Sequence, residues 1–300
     1  MSTTLPEALL LVEQQDDYKV LKRVPETLAD TATDAPFTAA IIDLETTGLS
    51  SDQHEIIEIG TLVVGFDQTG INSVIFTDNQ LQQPTEPISQ EITDITGITN
   101  DDVAGCAIDW PLLEDALRDV NLVICHNARF DRQFLEKQTP DNISQLFQQK
   151  AFGCSASDIP WRSLGFEGAK LEYLNLKMGY FYDGHRALVD CWATLNILLQ
   201  TPAAFDHLKQ SVRQKQHLIC AINSDFDKKD ILKQRGYRWS DGAKGLPKAW
   251  YTVVAEQDFE PEMEFLQQQI YSGREVSLPQ QMVNAFNRYS GREYQMSASS

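Results

Sequence analysis

Four carboxylates and one histidine in this 300-residue chain have the types and spacing needed to hold a hard cation and move a proton. Asp43-Leu44-Glu45 closes a run, residues 38–43, whose length and composition predict a buried strand. Side chains at i and i+2 on a strand share a face, so the two carboxylates converge. Converging carboxylates repel unless a cation lies between them, and an oxygen-only donor set suits Mg²⁺ or Mn²⁺. Thr46-Thr47-Gly48 follows, with hydroxyls and exposed backbone N–H groups. Asp131 falls just after a short apolar run, 122–125, at the start of a helical period over 128–138. His185 and Asp190 open a further helix, 187–200. Being five apart, they cannot share a face within one regular helix. They converge only if His185 lies on the loop leading in, which Gly184 permits. Each signal alone has an ordinary explanation: solvated acids at a strand end, an acid favouring a helix N-terminus, a capping histidine. His126 reads as a plain strand-end histidine.

The elements that must position these groups read as strands first, then alternating helices and strand. Residues 38–43, 55–64 and 72–77 read as an antiparallel meander with turns at Asp52 and Gly70. Helices are expected over 89–96, ending at Gly97, and over 110–119, with Pro111 in the first turn. Further helices are expected over 128–138, 170–178 and 187–200, the last stopped by Pro202. This order indicates a mixed α/β sheet with helices on its faces. Past residue 205 a strand (217–223), a helix (225–234), a hairpin (237–239 with 249–254) and a helix (259–271) form a small C-terminal α+β unit. Four regions result: an appendage over 1–36, a main domain over 37–204, the small unit over 205–289 and a disordered tail over 290–300.

Bulk composition bounds the function. Five scattered cysteines with no CxxC pair argue against a disulfide framework or a thiolate zinc site, and read as buried free thiols. No apolar run is long enough to span a bilayer and no signal-peptide pattern opens the chain, so a cytoplasmic protein is expected. The net charge of −18 argues against a tight grip on long duplexes. Its distribution is uneven: residues 1–204 carry 12 Lys and Arg against 31 Asp and Glu, whereas 209–248 carry ten against four. Tyr237 and Trp239 lie within this basic stretch, and Trp250 and Tyr251 follow it. Such a mixture either binds single strands by phosphate contact and stacking, or forms the small unit's own core and solvated face.

Read together, the segments IIDLETTGL (41–49), HNARFDRQFL (126–135) and HRALVDCWATL (185–195) resemble the DEDDh-type, DnaQ-like 3′–5′ exonucleases, the proofreading-subunit type. ITDITGIT (92–99) is similar to the family segment that contacts the terminal nucleotides. The layout with KRVP (22–25), GFEGAKLEYL (165–174) and the C-terminal unit resembles a bacterial subgroup of that family. The resemblance covers about 37–200 and implies a ribonuclease H-like fold. It also implies hydrolysis from the 3′ end of DNA by two divalent cations, Mg²⁺ or Mn²⁺, releasing nucleoside 5′-monophosphates. By the family pattern Asp43, Glu45 and Asp190 hold the first cation, Asp43 reaches the second, and Asp131 acts there directly or through water. His185 would take the proton from the attacking water, as suits a side chain that titrates near neutrality. Leu44, Thr46, Thr47, Gly97 and Phe130 would seat the terminal nucleotide. An RNA-directed exonuclease is the alternative, since the same carboxylates serve ribonucleases. A non-catalytic subunit recruited to a DNA polymerase or sliding clamp is another, because Gln145-Leu146-Phe147 and residues 280–286 faintly resemble clamp-binding peptides. Every catalytic position is filled, which favours an active enzyme; the resemblance implies DNA repair or proofreading as its setting, with RNA turnover left open.

Overall fold

The computed structural model describes residues 5–28, 35–243 and 245–294. Helix α1 (Leu5–Glu13) and strand β1 (Lys22–Arg23) precede the main sheet, whose strands are β2 (Phe37–Thr46), β3 (Ile56–Phe66), β4 (Ile71–Leu81), β5 (Leu122–Cys125) and β6 (Ala151–Cys154). Between and after them come α2 (Gln90–Thr96), α3 (Asn100–Val103), α4 (Trp110–Leu117), α5 (Ala128–Lys137), α6 (Asp141–Gln148) and α7 (Leu171–Lys177). The short strand β7 (Tyr180–Phe181) and the helices α8 (Ala187–Gln200) and α9 (Pro202–Arg213) complete the unit. The sheet order is β4-β3-β2-β5-β6, with β2, β3 and β4 antiparallel and β5 and β6 parallel to β2. This is the mixed sheet of the expected ribonuclease H-like fold. Its turns fall where Asp52 and Gly70 were expected.

Every residue of β3 is buried, which makes it a strand covered on both faces. Along β2 the side chains alternate between two cores. Ala39 and Ile41 join the core under α8, whereas Ala40, Ile42 and Leu44 join the core under α4, α5 and α6. The same alternation brings Asp43 and Glu45 out on the α8 face at the end of the strand. Gly60, which pairs with Asp43 across the sheet, permits the approach of α8: a Cβ there would stand 2.4 Å from the Ala187 carbonyl carbon and the Leu188 nitrogen.

Several elements were not legible beforehand, among them β6, α6 and α9. Strand β6 is four residues with a central glycine, too short for a periodic signal. Helix α6 follows Pro140 directly and buries only Ile143 and Phe147. Pro202 was expected to stop a helix; it does end α8, but it also sits in the first turn of α9, where its missing N–H costs nothing. Ala204, Phe205 and Leu208 of α9 belong to the core under α8, so packing of the main unit continues past residue 204.

The C-terminal unit holds β8 (Gln216–Ala221), α10 (Lys229–Gln234), β9 (Arg238–Ser240), β10 (Ala249–Ala255), α11 (Phe259–Phe265) and β11 (Gln280–Val283). Its antiparallel sheet runs β11-β8-β10-β9. The helix expected over 259–271 is α-helical only to Phe265, after which Leu266–Ile270 widens into a π-helical turn. Residues 290–294, expected to be disordered, are described and include a 3₁₀ turn, Arg292–Tyr294; 295–300 lie outside the described residues. All five cysteines are free. No helix among the described residues is long and apolar enough to cross a membrane. The two clamp-like peptides are taken up by the fold: Phe147 is buried inside α6, and 280–283 form β11.

The segment after β11 folds back on the main unit. Arg132, fully buried on α5, donates to the carbonyls of Ala285 (3.0 Å), Arg288 (2.9 Å) and Phe286 (2.7 Å) and pairs with Glu136 at 2.7 Å. Its guanidinium also lies over the Phe152 ring at 4.1 Å. Arg288 pairs with Asp158 at 3.2 Å, and Arg292 with Glu136 at 2.8 Å. Arg132→Leu leaves the Arg288 carbonyl without its donor and takes one of two guanidinium partners from buried Glu136, and is expected to cost about 3–5 kcal/mol. A lowered urea midpoint at unchanged slope would show it.

Candidate active site

A cleft of about 660 Å³ opens where the carboxyl end of β2 meets the entries to α5 and α8. Asp43, Glu45, Asp131, His185 and Asp190 all line it. One carboxylate oxygen from each of Asp43, Glu45 and Asp190 lies within 4.8 Å of the others. Asp131, almost fully buried, reaches in from the first turn of α5 and accepts the backbone N–H of Leu44 as well as its own. Asp190 accepts the backbone N–H of Arg186 at 3.2 Å, that of His185, and the Tyr182 hydroxyl. His185 is exposed on the loop before α8, with a left-handed φ of 63°.

So many acids in one place hold their protons. Burial, and then the charges of Asp131, Asp190, Glu45 and Glu58, push Asp43 well above the usual carboxylate range. Glu45 is pushed up to about 8, by burial first and then by Asp190. Burial raises Asp131 to about 7 against two backbone N–H groups that lower it. Asp190 is raised by burial too. This mutual repulsion among oxygen-only donors fits a divalent cation, which would replace the protons as counter-charge.

The family model described as Exonuclease (RNase_T) matches residues 40–198. The chain belongs to the DnaQ-like exonuclease family. The chain is 27% identical over 215 residues to DNA polymerase III PolC-type of Staphylococcus aureus (strain bovine RF122 / ET3-1), covering 67% of this chain and 13% of that protein. It is 32% identical over 110 residues to the PolC-type polymerase of Thermotoga maritima, covering 36% of this chain and 8% of that protein. The chain thus spans a small part of these relatives' length. Among solved structures, Exonuclease X in complex with 5′ overhanging duplex DNA superposes with a TM-score of 0.42 at 22% identity, covering 57% of this chain and 98% of that one. A 3′-exonuclease recognising histone mRNA stem-loop gives 0.43 at 18%, covering 57% and 84%.

Of the residues expected to seat a terminal nucleotide, Leu44 and Phe130 line the cleft wall. Thr46, Thr47 and Gly97 are not among the lining residues. The Thr46 hydroxyl donates to the Gly48 carbonyl at 2.6 Å, and the Thr47 hydroxyl accepts the Glu55 N–H at 3.0 Å, so both close the turn after β2. Gly97 caps α2 with a φ of 72°. His126 lines the cleft with both ring nitrogens engaged. Nε2–H donates to the Ala169 carbonyl and Nδ1 accepts from the Ser155 hydroxyl, each at 2.7 Å, while burial lowers its pKa to about 4.

Several residues in and around the cleft were not anticipated, among them Glu58, Tyr182 and Lys170. Glu58 is fully buried on β3, opposite Glu45. It accepts the Arg186 guanidinium at 2.8 Å, the Ala187 N–H at 2.9 Å and the Asn79 amide at 2.9 Å. A lone carboxylate inside an otherwise apolar strand was the available signal. Tyr182, bonded to Asp190, and Lys170, on the cleft rim, carried none.

Proposed function

We propose that this exonuclease domain removes nucleotides from the 3′ end of a single-stranded or frayed DNA strand, releasing nucleoside 5′-monophosphates in a reaction that needs divalent cations. The observation carrying this reading is the convergence of Asp43, Glu45 and Asp190 within 4.8 Å beside the His185 loop. Asp43, Glu45 and Asp190 would hold one cation, and Asp43 and Asp131 a second, Mg²⁺ or Mn²⁺. When bound, such cations neutralise the phosphodiester's charge and steady the attacking and leaving oxygens.

The remaining work belongs to the chain's own side chains. His185, exposed at the cleft mouth, takes the proton from the attacking water, and the Asp190 carboxylate nearby stabilises the resulting imidazolium. Leu44 and Phe130 flank the terminal nucleotide with apolar surface, which selects a strand end without selecting a base. Asn127 and Lys170, also on the wall, are placed to meet sugar and phosphate oxygens. Attachment to a polymerase and a role in proofreading or repair belong to the same proposal; the PolC-type relatives support them.

The test is a 5′-labelled strand incubated with Mn²⁺ or Mg²⁺, in matched DNA and RNA versions. A ladder shortened from the 3′ end, absent with EDTA and with Asp43→Ala, is the expected result. His185→Ala is expected to lose most of the rate while keeping the cation-induced rise in melting temperature. Normal turnover by that variant would remove His185 from the reaction. Faster cutting of the RNA strand would reassign the substrate.

A further inference from the structure

A strand whose 3′ end enters the cleft must leave it across a surface, and most of this chain repels a polyanion. Residues 1–204 carry 31 acids against 12 bases, whereas 209–248 carry ten bases against four acids. The fold joins that basic stretch to the cleft by a continuous run of guanidinium groups and rings. Arg238, on the edge strand β9, lies 5.2 Å from the centre of the Tyr251 ring on β10. Tyr251 meets Tyr294 edge-on at 6.2 Å. Arg129, on the first turn of α5, lies 5.4 Å from the Tyr294 ring and 5.9 Å from the Tyr289 ring. The next residue, Phe130, lines the cleft. Both arginines are exposed and the three tyrosines half-buried.

We propose that this run is a track for the upstream part of a single-stranded nucleic acid whose 3′ end occupies the cleft. The proposal rests on the nuclease reading for the cleft, and on charge and ring placement for the track. Cross-strand pairing of Arg238 with Tyr251 puts both on the sheet face that packs Tyr294. Trp239 pairs with Trp250 on the opposite face, outside the track. Guanidinium groups meet phosphates, while bases stack on tyrosine rings. Stacking tolerates any sequence because every base has a π-face. A strand long enough to leave the cleft gains this contact, and a single nucleotide does not.

Arg238→Ala in the full chain tests the track. With Mn²⁺, its KM for a 20-nucleotide strand is expected to rise about tenfold at unchanged kcat. Its turnover of the p-nitrophenyl ester of thymidine 5′-monophosphate, which fills only the cleft, is expected to stay within twofold. Anisotropy of the labelled 20-mer in Ca²⁺ should show the same tenfold loss, with a salt slope shallower by about 0.7 for the phosphate contact removed. Arg238→Lys should restore most of the affinity, and an abasic strand of equal length should bind several-fold more weakly than the normal one. An unchanged KM for the 20-mer, equal losses on both substrates, or equal binding of abasic and normal strands would overturn the track. If the wild type cuts neither substrate yet Arg238→Ala still weakens strand binding, the track stands and the nuclease reading falls.

Discussion

Asp43→Asn is expected to lower turnover at least about 10³-fold while making the metal-free protein more stable at pH 8. The two effects share a cause. Burial and three neighbouring carboxylates in the cleft hold Asp43 protonated well above its ordinary range, raise Asp131 to about 7, and raise Glu45 to about 8. Unfolded, these groups release their protons near pH 4. Between pH 4 and about 8 the native state therefore binds more protons than the unfolded state. The stability these carboxyls contribute is complete below pH 4 and falls as pH rises through that window, by a few kcal/mol in order of magnitude. A divalent cation opposes the loss by replacing the protons, so its stabilising effect should be large at pH 8 and small at pH 5. An asparagine at 43 takes one charge out of the cluster. Its melting temperature should depend less on pH and respond little to Mg²⁺ or Mn²⁺. Melting curves of both proteins, with and without cation, check this. A wild-type melting temperature that is flat between pH 5 and 8 in EDTA would contradict it.

Glu58→Ala is the second large effect, expected to lower kcat about 100-fold with KM within twofold. Glu58 does not itself line the cleft, although it stands opposite Glu45 across the sheet. It acts through the loop that carries His185, holding the Arg186 guanidinium by three contacts of 2.8 to 3.2 Å and the first N–H of α8 at 2.9 Å. His185 has a left-handed backbone, a conformation costing about 1 kcal/mol or more that persists only while its surroundings impose it. Without the Glu58 anchor the loop relaxes and the imidazole leaves its place, whereas Asp43 and Glu45 stay on β2. The cation-induced rise in melting temperature should therefore survive in Glu58→Ala. Glu58→Gln keeps an acceptor for the Ala187 N–H and should recover part of the rate. A purely structural role would lower the melting temperature without this split between kcat and cation response.

Much of the site was legible because local rules reach it. The i, i+2 rule on β2 predicts that Asp43 and Glu45 share a face, and they do. The five-residue gap between His185 and Asp190 requires a histidine outside the helix, and α8 begins at Ala187. The long strands β2, β3 and β4 and the helices α2, α4, α5, α7 and α8 were found within a few residues of their observed ends. Where strands were four residues long, as in β6, or where proline served as a start as well as a stop, as at Pro202, periodicity had too little length to act on.

The sequence by itself determined that four carboxylates and a histidine sit at the ends of sheet and helix elements, and it placed the chain's acidic N-terminal two-thirds and the basic stretch after it. That information is local, since strand alternation and helix entry depend on neighbours a few residues away. Only the tertiary structure decided which groups surround them. It set Glu58 against Arg186 across 128 positions, spent Thr46 and Thr47 on their own turn, and folded the segment after β11 onto Arg132. Buried polar groups must find partners wherever the chain happens to bring them. Those partners follow from topology and packing, which no window of sequence contains.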